Sequence, residues 1–260
     1  MGEHDVDIDV TAVGLSGLMR SLYETGAYYA SIVPRCEPGF EEAYWHEIVD
    51  PDGNVRDRLG ERDQSLADLG TELAYVASLT PGVVLDAGCG VGWFLSALDP
   101  RWERHGLELS ECAAAHAARF GDVRRGRLEE CPFPDAAFDL VFCHHVIEHV
   151  PEPTRAVAQL HRVLKPGGKL VLGTPDFDSG AARRYGDRYR LLHDPTHVSL
   201  FSNDSMHRFL RDHGFHVDSV DYPFFATRHF TTDTVLRVFD TTGVSPAFYG
   251  NFMTFYCTKV

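Results

Sequence analysis

Residues 83–92 read Val-Val-Leu-Asp-Ala-Gly-Cys-Gly-Val-Gly, an apolar run that meets an acid and then three glycines at alternate positions. A chain takes this form where its backbone passes close to a ligand at the mouth of a parallel sheet. Glycines at 88, 90 and 92 remove the Cβ atoms that block such an approach and permit angles closed to other residues. The helix expected to follow turns its N–H groups and positive dipole end toward the site, which favours a carboxylate or phosphate. A dinucleotide fingerprint needs glycine at 88, 90 and 93, but position 93 is Trp93. Asp86 beside the loop repels a pyrophosphate and attracts a cation. The pattern therefore predicts a ligand that carries both a carboxylate and an ammonium.

The loop resembles the first motif of the class I S-adenosylmethionine-dependent methyltransferases, and further segments extend the resemblance. Glu108 stands 22 positions after Asp86, at the end of Gly106-Leu107-Glu108-Leu109. An acid there can accept hydrogen bonds from both ribose hydroxyls of a nucleoside. Phe138-Asp139-Leu140-Val141-Phe142-Cys143 is similar to the family's fourth strand. Val163-Leu164-Lys165-Pro166-Gly167-Gly168-Lys169-Leu170-Val171-Leu172 is similar to its turn into the fifth. These segments come in family order over residues 80–220.

The resemblance implies an α/β fold: a doubly wound, mostly parallel sheet of seven strands with the last strand antiparallel. It implies S-adenosylmethionine as cofactor, with Asp86 toward the ammonium and the backbone of Gly88, Cys89 and Gly90 around the methionine portion. Glu108 would take the ribose, with Leu109 a further cofactor-binding residue. Arg127 and Leu128 sit where the family places adenine contacts, although Arg127 departs from the acid common there. Cys143 and His144 would border the sulfur.

Strand and helix patterns alternate through the same region: strands at 83–87, 104–109, 122–126, 138–143 and 168–174, with helices at 91–98, 110–120 and 150–164. Such alternation means a parallel sheet with crossovers. A helix at 203–213, a strand at 215–222 and an alternating last segment at 252–257 complete it. Residues 1–80 read as an acidic, frayed tail over 1–14 and a helical cap, with a helical run from Val55 to Leu79 stopped by Thr80-Pro81-Gly82. Residues 81–260 read as the sheet domain with inserts at 175–202 and 223–250. Ligands bind beyond the carboxyl ends of strands in such sheets, so the first insert and the cap are the expected walls of an acceptor pocket. Phe224-Phe225 and Phe248-Tyr249 are further candidate walls.

A length of 260 residues suits one such domain with a cap. No apolar run is long enough to span a membrane, and an acidic N-terminus is unlike a secretory signal. The six cysteines have no Cys-x-x-Cys spacing and read as reduced thiols, which points to the cytoplasm. A net charge of −14 repels polyanions, so a small molecule is the expected partner rather than nucleic acid.

Methyl transfer to oxygen also needs a base. His144-His145-Val146-Ile147-Glu148-His149 follows the fourth strand, and His193-Asp194-Pro195-Thr196-His197 lies in the first insert. If 145–149 opens a helix, His145, Glu148 and His149 share a face. His149, His197 and His145 are the candidate bases. The same residues with Glu148 are a candidate divalent-metal set. They resemble the Glu-x-x-Glu-His plus distant His of metal-dependent small-RNA 2′-O-methyltransferases, and the related pattern of ubiquinone-pathway O-methyltransferases. His145 stands where that pattern has Glu, which favours a softer metal than magnesium, or none. Arg183, Arg184, Arg188 and Arg190 could grip an anionic substrate or form a solvated face. The expected function is transfer of a methyl group to a hydroxyl of a sugar or secondary metabolite. Metal-assisted RNA 2′-O-methylation and a non-catalytic, cofactor-binding regulator are the alternatives.

Overall fold

The computed structural model describes residues 5–7, 10–32, 42–46, 48–49, 55–223, 231–246 and 251–260. The candidate walls Phe224-Phe225 and Phe248-Tyr249 lie outside the described residues. Seven strands build the main sheet: β1 Val83–Ala87, β2 Glu103–Glu108, β3 Asp122–Arg125, β4 Phe138–His144, β5 Leu164–Pro175, β6 Phe215–Asp221 and β7 Phe252–Lys259. Their order is β6-β7-β5-β4-β1-β2-β3. Strands β1 to β5 pair in parallel, and β7 runs antiparallel between β5 and β6, as expected.

The central strands are continuously apolar because helices cover both faces. On one face Leu85, Val141 and Leu172 pack with Val157 and Leu160 of the helix Pro153–Val163 and with Phe209 of the helix Asn203–Asp212. On the other, Val84, Phe142 and Val171 pack with Val76 of the helix Gly70–Ser78 and with Phe94 and Leu95 of the helix Trp93–Ala97. This split follows from the two-residue period of a strand.

Three expectations need correction. The helical run over 55–79 is two helices, Arg62–Asp68 and Gly70–Ser78, broken at Leu69; the weak helix former Gly70 opens the second. The tail over 1–14 is not wholly frayed, since Asp5–Asp7 pairs with Tyr29–Ser31 and helical backbone runs over Val10–Thr25 with a kink at Gly14. No α-helix starts at 145. A 3₁₀ turn covers Ile147–His149, and the α-helix begins at Pro153. Pro151 and Pro153 drive the residues before them out of the α region, so the helix waits for a proline at its first position.

The cap and the first insert pack together. Leu15, Leu18 and Leu22 of the first helix share a buried cluster with Phe177, Tyr189 and Leu200. Tyr29–Ser31 also pairs antiparallel with Ser199–Leu200. The second insert contributes the helix Thr232–Arg237, capped by Thr231. It rests on the first insert, where the Tyr185 hydroxyl donates to Arg237 O and Arg184 donates to Val238 O. Among the described residues no helix is long and apolar enough to cross a membrane.

Candidate active site

A cavity of about 470 Å³ opens beyond the carboxyl ends of β1, β2, β4 and β5, within the roughly 300–1,000 Å³ range of ligand pockets. Glycine is required where the loop forms its floor. At Gly88 φ is +81°, and a Cβ there would lie 2.3 Å from Val146 Cγ2. Gly90 takes φ +51° beneath Trp45, whose indole N–H donates to Ser110 Oγ at 2.9 Å. Trp45 thus lays part of the cap over the loop.

The amides of residues 88–90 are engaged within the protein. Gly88 N and Cys89 N donate to Leu107 O, and Gly90 N donates to Glu108 Oε2 at 2.9 Å. The helix after the loop is short, Trp93–Ala97. Glu108 braces both loops, because its Oε1 also accepts Ser110 N at 2.8 Å. Each carboxylate oxygen keeps a further lone pair for a hydroxyl donor.

Asp86, Gly88, Cys89 and Gly90 line the cavity, as do Glu108, Leu109, Arg127, Leu128 and His144. Cys143 does not: its side chain points to the other face of β4 and packs in the core with Leu85 and Leu172. Burial, with the charge of Glu108 added, holds the Asp86 carboxyl well above the usual carboxylate range. Burial also raises Glu108. The acid missing at position 127 stands two residues on, where Glu129 lines the cavity and pairs with Arg127 at 3.3 Å.

On the β4 side the turn after the strand meets the first insert. His145 adopts φ +55°, a left-handed conformation costly for a non-glycine residue. Its Nδ1 lies 3.0 Å from Glu148 Oε1, and Thr174 Oγ1 donates to Glu148 Oε2 at 3.0 Å. Burial pushes the Glu148 carboxyl up, but the His145 hydrogen bond and the neighbouring imidazoles pull it down to about 2. His149 Nδ1 donates to Thr196 O at 3.0 Å, and His197 Nδ1 donates to Leu191 O at 2.7 Å. A carbonyl can only accept, so each neutral ring carries its basic lone pair on Nε2. Burial lowers His149 to about 4 against the opposing charge of Glu148. The two rings lie 4.9 Å apart between centroids, and both line the cavity.

One ligand atom each from Glu148, His149 and His197 lies within 4.8 Å of the other two. His145 stands outside that group, although its Nδ1 lies 3.0 Å from Glu148 Oε1. The arginines separate as well. Arg183 pairs with Asp178 and Arg184 is anchored to Val238, whereas Arg190 is buried and lines the cavity. Of the cap tyrosines, Tyr23 is exposed, and Tyr28 and Tyr29 pack in the core rather than on the cavity. Sequence reasoning missed Glu72, Tyr44, Trp45 and Arg58, all on the cavity wall. Only the isolated acid on the apolar face of 70–78 signalled any of these, because the others depend on a cap fold with no repeating pattern.

Residues 59–220 match a family model described as a methyltransferase domain. The chain is 33% identical over 144 residues to a malonyl-[acyl-carrier protein] O-methyltransferase of Serratia marcescens, covering 52% of this chain and 54% of the relative. It is 38% identical over 108 residues to a ubiquinone biosynthesis O-methyltransferase of Hahella chejuensis, covering 38% and 45%. The match thus spans about half the length of these curated relatives. A solved S-adenosylmethionine-dependent methyltransferase of Thermotoga maritima superposes with a TM-score of 0.56 at 25% identity, covering 78% of this chain and 92% of that one.

Proposed function

Because this chain belongs to the class I S-adenosylmethionine-dependent methyltransferase family, we propose that it methylates a hydroxyl oxygen of a small-molecule acceptor, with His149 or His197 as the base. Bound S-adenosylmethionine supplies a methyl on a sulfonium that leaves as a neutral thioether. The protein's task is to align acceptor and methyl, which can supply several kcal/mol, and to accept the hydroxyl proton. Asp86 and Glu108 hold the amino and sugar ends, and the loop backbone lies under the methionine portion. The cap and the first insert enclose the acceptor side.

The observation that carries this reading is the pair of imidazoles with Nδ1 tied to backbone carbonyls. That tether fixes both rings with a basic Nε2 in the same cavity as the glycine loop. A lowered His149 keeps the ring neutral, and so able to take a proton, at ordinary pH. The names of both curated relatives, O-methyltransferases, support oxygen as the atom methylated.

One observation favours a metal-assisted form of the same step. Two imidazoles and a carboxylate converge, and their outer partners already orient them: backbone carbonyls on both Nδ1 atoms, Thr174 on Glu148. This is the usual support for metal ligands. The donor set fits a zinc-, iron- or manganese-type ion better than magnesium. Glu148, His149 and His197 would hold it, and it would polarise the acceptor hydroxyl.

The test is transfer from methyl-labelled S-adenosylmethionine into a metabolite extract, with the labelled product identified by mass spectrometry. A labelled O-methyl product is expected, and label on carbon or nitrogen alone would overturn the oxygen assignment. Repeating the assay after chelation separates the two forms. Undiminished transfer supports the base alone, and loss restored by one divalent ion supports the metal.

A further inference from the structure

We infer that Glu72 is a cofactor-binding residue whose carboxylate faces the amino group of S-adenosylmethionine; this rests on the cofactor assignment above. The helix Gly70–Ser78 precedes β1 and buries only Glu72 and Val76. These lie one turn apart on one face. Val76 packs in the core, as such a face requires. An acid one turn before it is costly to bury without a partner, yet Glu72 is only 2% exposed.

Two side chains meet one of its oxygens. Thr254 Oγ1 on β7 donates to Glu72 Oε1 at 2.8 Å, and His144 Nε2 at the end of β4 lies 3.6 Å from that same atom. Glu72 lines the cavity together with Gly88, Phe94 and His144. A carboxylate held at Oε1 on the wall of a ligand cavity keeps a lone pair on Oε2 for a further donor.

The order of strand ends says which donor. Glu108 ends β2 and Arg127 follows β3, on one side of β1. His144 ends β4, on the other side. A nucleoside with its ribose at Glu108 must send its amino-acid arm across the glycine loop toward β4, where Glu72 waits. The charges agree. Burial raises Glu72, but His144 and Thr254 outweigh it and bring the carboxyl below its ordinary value. Asp86 is displaced upward instead. Glu72 is therefore the acid that stands ionised before the ammonium arrives.

Calorimetric titration with two ligands tests this. S-adenosylhomocysteine carries the amino-acid arm, and 5′-methylthioadenosine lacks it. Glu72→Gln should weaken the first by about ten-fold or more and leave the second unchanged. Equal weakening of both ligands, or none, overturns the inference. If the wild-type chain binds neither ligand, the cofactor assignment itself falls, which separates the two failures. A variant that does not fold leaves the wild-type complex with S-adenosylhomocysteine as the second readout. There the amino nitrogen should lie about 3 Å from Glu72 Oε2, and an amino nitrogen turned away from Glu72 overturns the inference.

Discussion

At the scale of single residues, Asp86 makes the sharpest pH prediction. Its carboxyl is raised by burial and by Glu108, while Cys89 and Cys143, the other titrating neighbours, are themselves raised and stay neutral. In the empty site Asp86 is therefore protonated to a higher pH than an ordinary aspartate. An arriving ammonium favours the ionised form, so binding releases a proton, and affinity must rise with pH until the raised pKa is passed. The limiting slope is about one decade per pH unit. Titration of S-adenosylhomocysteine from acid to neutral pH should show this rise, and Asp86→Asn should flatten it. A slope unchanged in that variant would move the proton to another group. The histidines make a separate prediction. His149→Ala and His197→Ala should lower turnover by about two orders of magnitude or more while cofactor affinity stays nearly intact. A variant that keeps near-normal turnover is not the base. Gly88 was legible at this scale, since an alternate glycine after a buried strand has few other uses. Glu72 showed only as an acid on an apolar helix face: its partner Thr254 is 182 residues away, and no local pattern carries such a pairing.

At the scale of elements, the sheet was readable because its order is written in short apolar runs parted by helical patterns. Strand bounds moved only where backbone irregularity intervenes. β5 begins at Leu164 rather than 168 because its register against β4 slips between Phe138 and Leu140. The turn after β4 was misread, since a three- and four-residue spacing suggests a helix and says nothing of two prolines downstream. The convergence of Glu148, His149 and His197 survives that error for a different reason. The insert docks on the turn through Val198 N donating to Glu148 O at 2.8 Å and Ser199 Oγ donating to Val150 O at 2.8 Å. Their acceptors, Glu148 O and Val150 O, flank His149, whose ring is fixed by Thr196 O. Ser199→Ala should cost about 1–3 kcal/mol by leaving a buried carbonyl unpaired. With His149 in its proposed role as base, the variant should also lower turnover more than cofactor affinity. Thermal melts and parallel binding and rate measurements check both parts; a rate loss matched by an equal affinity loss would place the effect in the whole site.

At the scale of the whole molecule, the net charge of −14 disfavours long-range capture of RNA, and the cap decides how the chain unfolds. A boundary near residue 80 separates two patterns in the sequence, but the packing crosses it. Leu18 is fully buried against the insert in a cluster with Phe177, Tyr189 and Leu200, and the insert leaves the sheet directly from the end of β5. The same insert supplies Leu191 O and Thr196 O, which orient the two imidazoles. Cap packing and the orientation of the two imidazoles are thus coupled through one segment of backbone. Leu18→Ala should cost about 2–5 kcal/mol and lower the midpoint of a single cooperative transition, with turnover falling before cofactor binding does. An independently folding cap behaves otherwise: the variant would then melt in two steps, the later one at the wild-type temperature. Calorimetry of the wild type and of Leu18→Ala, each with and without S-adenosylhomocysteine, distinguishes these outcomes. In the coupled molecule the ligand raises the one transition, whereas in the divided one it raises only the second.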